Sequence, residues 1–267
     1  MPKLSIITIN YNNPDGLRLT IKSVISQKYT NYEWIVIDGG SGSSDLDIIK
    51  QYSNLFKYWK SEPDNGIYHA MNKGTCKAQG EYCFFLNSGD TFVNEEVLQK
   101  VFAKEVKEDV IFGNLLVMLN NKVVGKSRGK EKLSFLDIYI GLVKHQAAFI
   151  RRDLFDKFDF YNEELKIVAD WEFFLKTVGL GDASYKYIDI DISYFDNNGI
   201  SNNSENLVSE ERNIVIDKYI PSMMQYDYET LQKIGIYKVV TRYKIPHFFL
   251  RLMTKGIREY EKRVYKK

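Results

Sequence analysis

The tetrapeptide Asn87-Ser88-Gly89-Asp90 closes an apolar run, Tyr82-Cys83-Phe84-Phe85-Leu86. A buried strand there would deliver amides, a hydroxyl and a carboxylate to its C-terminal end, which is where open α/β sheets bind their ligands. The arrangement recurs twice upstream. Ile35-Val36-Ile37 runs into Asp38-Gly39-Gly40-Ser41, and Ile6-Ile7-Thr8-Ile9 runs into Asn10-Tyr11-Asn12. Three strand ends bearing acids, amides and hydroxyls form a rim suited to a nucleotide, its diphosphate and a divalent cation. A hard cation takes oxygen ligands, typically one or two carboxylates together with phosphate oxygens.

A second carboxylate of interest lies downstream, in Ile167-Val168-Ala169-Asp170-Trp171-Glu172-Phe173-Phe174-Leu175. Taken singly, each acid has a plain alternative. Asp90 is a metal ligand or the acid of a turn; Asp170 is a general base or a helix N-cap. Taken together, they match what sugar transfer from a nucleoside diphosphate requires. The leaving group gains charge, which a cation stabilises, and the acceptor hydroxyl needs a carboxylate base on the opposite face of an oxocarbenium-like sugar. The indole of Trp171 favours the second role for Asp170, because a cap needs no indole whereas a sugar can stack on one.

The elements that must position these groups alternate regularly. Residues 3–9, 33–38, 56–60 and 82–87 have the β-branched and aromatic character of strands. Between them, residues 14–27 place Leu17, Ile21, Val24 and Ile25 on one helical face, with Asn13 as N-cap and Pro14 at the first helical position. Residues 45–55 and 66–78 are further helices, as are residues 94–104. Such alternation predicts right-handed crossovers and a mainly parallel sheet with helices on both faces. A strand follows at 109–113, and Asn120-Asn121 marks a hairpin between 115–119 and 122–126. Lys144 to Ile150 reads as a strand, 170–178 as a helix, 185–195 as one or two strands, and 196–203 as a polar loop. From Ser204 the pattern is helical, interrupted by Pro221 and Pro246.

Length and composition place the chain among ordinary globular proteins. At 267 residues, 44% hydrophobic and 27% charged, it can bury a substantial core. Its 19 Tyr and 16 Phe suit strands and interfaces as well as glycan platforms, so their number alone decides nothing. Two cysteines, Cys76 and Cys83, give no disulfide framework and suit a reducing compartment. His69, His145 and His247 have no zinc-ligand spacing. With no signal-peptide pattern and no apolar stretch of about 18 residues, the expectation is a cytoplasmic protein.

The motif order resembles the family 2 glycosyltransferases, inverting enzymes of the GT-A fold, over roughly residues 3–205. The resemblance is carried by Ile6–Asn12, Val36–Ser41, Ser61–Tyr68, Ala70–Gly74, Leu86–Asp90, Lys144–Ala147 and Ala169–Glu172. It implies a glycosyltransferase domain over 1–205, with a nucleotide-binding half near 1–93 and an acceptor-side half near 94–205, followed by a helical extension over 206–267. Donor contacts would come from Thr8, Asn10, Asn12, Asp38, Ser41, Asp64, Gly66, Asn72, Lys73, Asn87, Ser88 and Asp90, with Asp38 accepting from a uracil ring and Asn72 and Lys73 facing the donor or helping to shape its pocket. Asp90 would bind Mn²⁺ or Mg²⁺, and Asp170 would be the base. His145, Gln146, Trp171 and Glu172 would line the acceptor side. Lys73 and His145 also have plain readings, as a solvated helix residue and a structural histidine.

The chain departs from the family pattern in three places. Asn87 and Gly89 occupy positions that can be Asp, Gly39 stands where a second Asp often follows Asp38, and His69 replaces an expected acid. A single carboxylate at Asp90 keeps a non-catalytic nucleotide- or glycan-binding protein as the alternative. A sugar-nucleotide pyrophosphorylase is disfavoured, because Asn10-Tyr11-Asn12-Asn13-Pro14 is not a Gly-rich basic phosphate loop. The expected partners are a UDP-linked sugar and a glycan or lipid-linked glycan of bacterial surface type, with no nucleic acid. Residues 238–267 carry ten Lys or Arg and two Glu, interleaved with apolar residues. They read as a basic amphipathic helix touching the inner face of an anionic membrane or as a terminal helix packed on the domain.

Overall fold

Strand β1 (Leu4–Asn10) is buried along its whole length, as its apolar run demands. It is the centre of four parallel strands, in the order β3 (Tyr58–Ser61), β2 (Tyr32–Asp38), β1, β4 (Tyr82–Phe85). The computed structural model describes residues 1–120, 122–196, 205–228 and 230. Beyond β4 the sheet continues through β8 (Ala148–Arg151), β6 (Val110–Leu119), β9 (Tyr185–Asp196) and β5 (Thr91–Phe92), while β7 (Lys122–Ser127) pairs with β6. β8 is antiparallel to both its neighbours and β9 runs parallel to β6, so the nine-stranded sheet is mixed.

Helices cover both faces. On one, α1 (Pro14–Ile25) contributes Leu17, Ile21 and Val24 and α2 (Ser43–Gln51) contributes Ile48 and Ile49, joining Leu4, Ile6, Trp34, Val36 and Phe84 in one core. Asn13 caps α1 by accepting from the Gly16 N–H at 3.1 Å, and Pro14 occupies the first turn, as expected. On the other face, α3 (Ile67–Lys77) lies close to the sheet. A Cβ on Gly74 would sit 2.5 Å from Ile7 Cγ2, so a larger residue would push the helix off.

The aromatic excess is spent largely inside. Phe85 on β4 contacts Phe155 of α6 (Asp153–Lys157) and Tyr161, and both of these contact Phe173 of α7 (Ala169–Phe174); Tyr161 also meets Tyr68 of α3. Burying each such ring is worth roughly 1.5–3 kcal/mol. This layer ties the helix carrying Asp170 to the strand preceding Asp90.

Several elements differ from the sequence expectation. Residues 109–113 and 115–119 are one strand, β6, which takes β9 along nearly its whole length with irregular register near Asn114. β9 is likewise continuous. The stretch 144–150 is not all strand: His145–Ala147 forms a 3₁₀ turn before β8 begins. The helix expected at 94–104 is reduced to α4 (Val97–Val101), α2 ends in a 3₁₀ turn at Ser53–Leu55, and α7 passes into a π-helical turn at Leu175–Gly179. β5, α5 (Phe135–Tyr139) and α6 were not anticipated; each is five residues or fewer, too short for a periodic signal. The β6–β7 hairpin forms where expected, with Leu119 opposite Lys122.

The described residues up to Arg212 form one compact unit, and those from Asn213 belong to a second. α8 (Glu205–Tyr219) ends before Pro221, and a further helix spans 222–228. The loop at 197–203 and the basic stretch 238–267 lie outside the described residues. Among the described residues no helix is long and apolar enough to cross a membrane.

Candidate active site

The in-register pair Asn10 and Asp38 ends β1 and β2 side by side. Asn10 Nδ2 donates to Asp38 Oδ1 at 2.7 Å and to Asp45 Oδ1 at 2.9 Å. Asp38 also accepts from the Ser41 N–H, the Ser41 hydroxyl and the Ser61 hydroxyl, at 2.9, 2.6 and 2.6 Å. Burial alone would push this carboxyl up, yet the hydrogen bonds from Ser41, Ser61 and Asn10 outweigh it and hold the group below the usual carboxylate range. A fully buried carboxylate with four donors has no lone pair left for a uracil ring. Asp38 therefore does not meet the base directly, as the sequence reading expected; it locks the loop that follows.

Asp64 and Tyr11 stand one layer further out. Asp64 Oδ1 accepts from the Gly66 N–H at 2.9 Å. Its Oδ2 lies 2.6 Å from where a Cβ on Gly39 would be, with Tyr11 Cδ2 3.1 Å from the same point. The carboxylate missing at position 39 is thus supplied from the β3–α3 loop, and Gly39 leaves the space for it. Tyr11, 66% exposed at the end of β1, offers a ring beside that carboxylate. No role was read for Tyr11 in sequence, although an exposed aromatic between two strand-end asparagines was a usable signal. Asn12, with φ of +48°, folds the loop back: its N–H donates to Ser41 Oγ and its Oδ1 accepts from Gly42.

Other expected donor residues are engaged elsewhere. Thr8 is fully buried and its hydroxyl accepts from Trp34 Nε1 at 3.0 Å, a core contact. Asn72 donates to the Tyr161 carbonyl and to Glu163, and accepts from the Tyr161 N–H; both ends of its amide fasten the segment after α6. Thr8 is thus corrected to a core residue, and of the two roles read for Asn72 its contacts leave the shaping one, not a direct donor contact. Lys73 pairs with Glu62 at 2.8 Å and Ser88 turns its hydroxyl to the Asn13 carbonyl.

Asp90 is nearly buried, and its Oδ1 accepts from the Asp196 N–H at 3.2 Å. Burial pushes its carboxyl up to about 7. Asp196, at the end of β9, brings its own carboxylate beside Gly89, and among the described residues the Asn87 Oδ1 is buried without a partner. The side chains gathered at this loop offer oxygen donors only, the chemistry that fits Mg²⁺ or Mn²⁺ sharing phosphate oxygens. Among the described residues no cluster of three or more His, Cys, Asp or Glu could hold a metal unaided. Asp196 went unassigned in sequence because 106 residues separate it from Asp90.

Asp170 is not an N-cap. The cap of α7 is Val168, and the Glu211 carboxylate from α8 accepts from the N–H groups of Lys166, Ile167 and Val168 at 2.7, 3.0 and 3.2 Å. Asp170 Oδ1 instead accepts from the Tyr68 hydroxyl at 3.0 Å, and Oδ2 from His145 Nδ1 at 2.7 Å. Burial raises its proton affinity, but His145, Tyr68 and then Lys144 outweigh this and hold the carboxyl below its ordinary range. Among the described residues His145 Nε2 is buried and unpartnered, and His145 also acts electrostatically on Asp90. The 3₁₀ turn at His145–Ala147 thereby sets one imidazole on Asp170 and within electrostatic reach of Asp90, 80 positions away.

Trp171 does not offer a sugar platform. It is 6% exposed, its Nε1 donates to the Ile138 and Tyr139 carbonyls, and Arg212 covers its ring at 4.4 Å. Glu172 is buried within α7, and the Gln146 carbonyl accepts from Ser193. Of the acceptor-side group, His145 alone contacts Asp170.

A mainly parallel sheet flanked by helices, with its acids and amides gathered at one strand-end rim, is the GT-A architecture of nucleotide-sugar glycosyltransferases. The family model "Glycosyl transferase family 2" matches residues 5–157. An uncharacterized glycosyltransferase of Mycobacterium tuberculosis is 39% identical over 181 residues, covering 66% of this chain and 68% of that one. A PGL/p-HBAD biosynthesis glycosyltransferase of Mycobacterium bovis is 28% identical, covering 75% and 80%. Among solved structures, S. aureus TarS 1-349 in complex with UDP-GlcNAc has a TM-score of 0.62 at 25% identity. The match covers 73% of this chain and spans 58% of that structure's length. The chain belongs to glycosyl transferase family 2.

Proposed function

We propose that the protein transfers a sugar from a nucleoside diphosphate, UDP-linked, to a hydroxyl of a glycan or lipid-linked glycan, with inversion at the anomeric carbon. The observation that carries this reading is His145, hydrogen-bonded to Asp170 and within electrostatic reach of Asp90. One carboxylate, with Asp196 and Asn87, is built to hold a cation. The other is half-sheltered, ionised and fixed at both oxygens. The second carboxylate from Asp196 weakens the case for a non-catalytic binder. A UDP donor is supported by Asp64 and Tyr11 beside Gly39, which suit an N–H donor and a flat ring, and by a TarS structure solved with UDP-GlcNAc.

Each residue then has a task. Asp64 would accept from the uracil while Tyr11 stacks on it. Asp90, Asp196 and Asn87 would hold Mn²⁺ or Mg²⁺, which when bound offsets charge developing on the diphosphate. Asp170 would take the proton of the acceptor hydroxyl as the oxygen attacks the anomeric carbon. His145 and Tyr68 keep its carboxylate ionised and in one rotamer, leaving its remaining lone pairs for that proton. Since the family match ends at residue 157, the assignment of Asp170 rests on geometry.

The test is a panel of UDP- and GDP-sugars screened for thermal stabilisation with and without Mn²⁺, followed by turnover with the donor that stabilises most. Metal-dependent stabilisation by a UDP-sugar and release of UDP are expected. Stabilisation by no nucleotide under any metal condition would refute the reading, and binding without turnover would replace it with a binder.

A further inference from the structure

Among the described residues, two cations whose charges reach Asp170 make no salt bridge. Lys144 immediately precedes the 3₁₀ turn bearing His145, and Arg212 projects from α8 onto the face of Trp171. Between them sits Gly141, with φ of +77°. The point where its Cβ would stand is 2.8 Å from Arg212 Nη2 and 3.8 Å from Lys144 Nζ. Both side chains are partly buried, and burial lowers the proton affinity of each; the charge of Arg212 lowers that of Lys144 further. Among the described residues neither makes a salt bridge, and the one acid whose charge reaches both is Asp170, already bonded to His145 and Tyr68.

Such an arrangement is unfavourable by itself, since desolvated like charges repel and lack hydrogen-bond acceptors. The fold nevertheless enforces it. Glu211 anchors α8 to the segment before α7, and Trp171, itself held by the Ile138 and Tyr139 carbonyls, fixes the guanidinium. The pair belongs to the base side of the site, because the charges acting on Asp90 are those of His145 and Asp196. An anion held here would therefore be part of the acceptor. A fork and a point charge suit a phosphate, whose free oxygens can serve both, whereas one carboxylate would be occupied by the Arg alone.

Resting on the assignment of Asp170 as the base, we propose that Lys144 and Arg212 form a subsite for a phosphate group carried by the acceptor next to its reacting hydroxyl. The acceptor class is then a phosphate-bearing glycan or a lipid-linked glycan phosphate.

The experiment is calorimetry on the full chain with UDP and Mn²⁺ present, so that the donor's own phosphate sites are filled. Glycerol 3-phosphate, hexyl phosphate, glucuronate and glycerol are titrated in separate arms. Both phosphates should bind and glycerol should not; Lys144→Gln and Arg212→Gln should each weaken phosphate binding by about tenfold or more, leaving UDP affinity within about twofold. Tighter binding of hexyl phosphate would point to a lipid-linked source, and equal binding to a glycan phosphate. Undiminished phosphate binding in the variants, glucuronate binding as well as phosphate, or a parallel loss of UDP affinity would overturn the proposal. Should Arg212→Gln melt early, Lys144→Gln, which has no ring to cover, decides alone. Failure of the wild type to bind UDP refutes the donor reading instead, and phosphate titration without UDP still tests the pair.

Discussion

Replacing Asp170 with Asn tests the chemistry with little disturbance to the fold. The Tyr68 hydroxyl has one hydrogen near two acceptors, the Ile167 carbonyl at 2.6 Å and Asp170 Oδ1 at 3.0 Å. In Asp170→Asn the amide oxygen can keep the His145 Nδ1–H, while Nδ2 donates to the Tyr68 oxygen and the tyrosine hydrogen goes wholly to Ile167. The tyrosine hydroxyl and the imidazole N–H both keep an acceptor. The loss is the charge-assisted part of two hydrogen bonds, about 1–2 kcal/mol, which for a unit of this size lowers Tm by roughly 2–8 °C. Turnover should fall far more, by about 10²–10⁴, the usual scale for removal of a general base and equivalent to about 3–5 kcal/mol in the barrier. The assay is release of UDP under saturating donor and acceptor, paired with calorimetry showing UDP affinity within about twofold of wild type. Turnover within about tenfold of wild type would refute Asp170 as base. A collapse of Tm with no separate loss of activity per folded molecule would make the carboxylate a structural group.

Three further outcomes are expected. Asp90→Ala should abolish the metal-dependent part of donor binding, about tenfold or more in Kd; an unchanged calorimetric response to Mn²⁺ would move the metal elsewhere. Asp64→Ala should weaken UDP binding by about tenfold, the value of one hydrogen bond to a charged acceptor, with little change in ligand-free Tm. Equal affinity would remove Asp64 from the base pocket. Asp38→Asn should destabilise the fold at neutral pH by about 1–3 kcal/mol. Because the folded carboxyl lies below its unfolded value, its contribution is full above about pH 4 and is lost as pH falls through the folded value. Urea denaturation of both proteins should therefore show the gap narrowing in acid; a gap that persisted or widened would contradict the hydrogen-bond account.

Much of the first ninety or so residues was legible in the sequence because local pattern dictates it. The apolar runs ending at Asn10, Asp38 and Asn87, the cap at Asn13 and the helical face of Leu17, Ile21 and Val24 encode parallel strands, their crossovers and the rim. The family resemblance followed from motifs that lie at those strand ends. Which rim residues face a ligand was not legible. Thr8 and Asp38 sit in motif positions, yet their hydrogen-bond partners come from Trp34 and Ser61 on other strands, and those pairings turn them inward. The same holds for Asn72 and Tyr161.

The second half was decided by contacts distant in the chain. The 3₁₀ turn that swings His145 onto Asp170, the return of Asp196 to Asp90, the Glu211 cap and the placement of Arg212 over Trp171 each join residues tens of positions apart or on short elements with no periodic signature. Periodicity reports which side of an element is buried. It carries no information about which titratable groups will share that interior, and their proximity alone set His145 on Asp170 and brought Lys144 and Arg212 together.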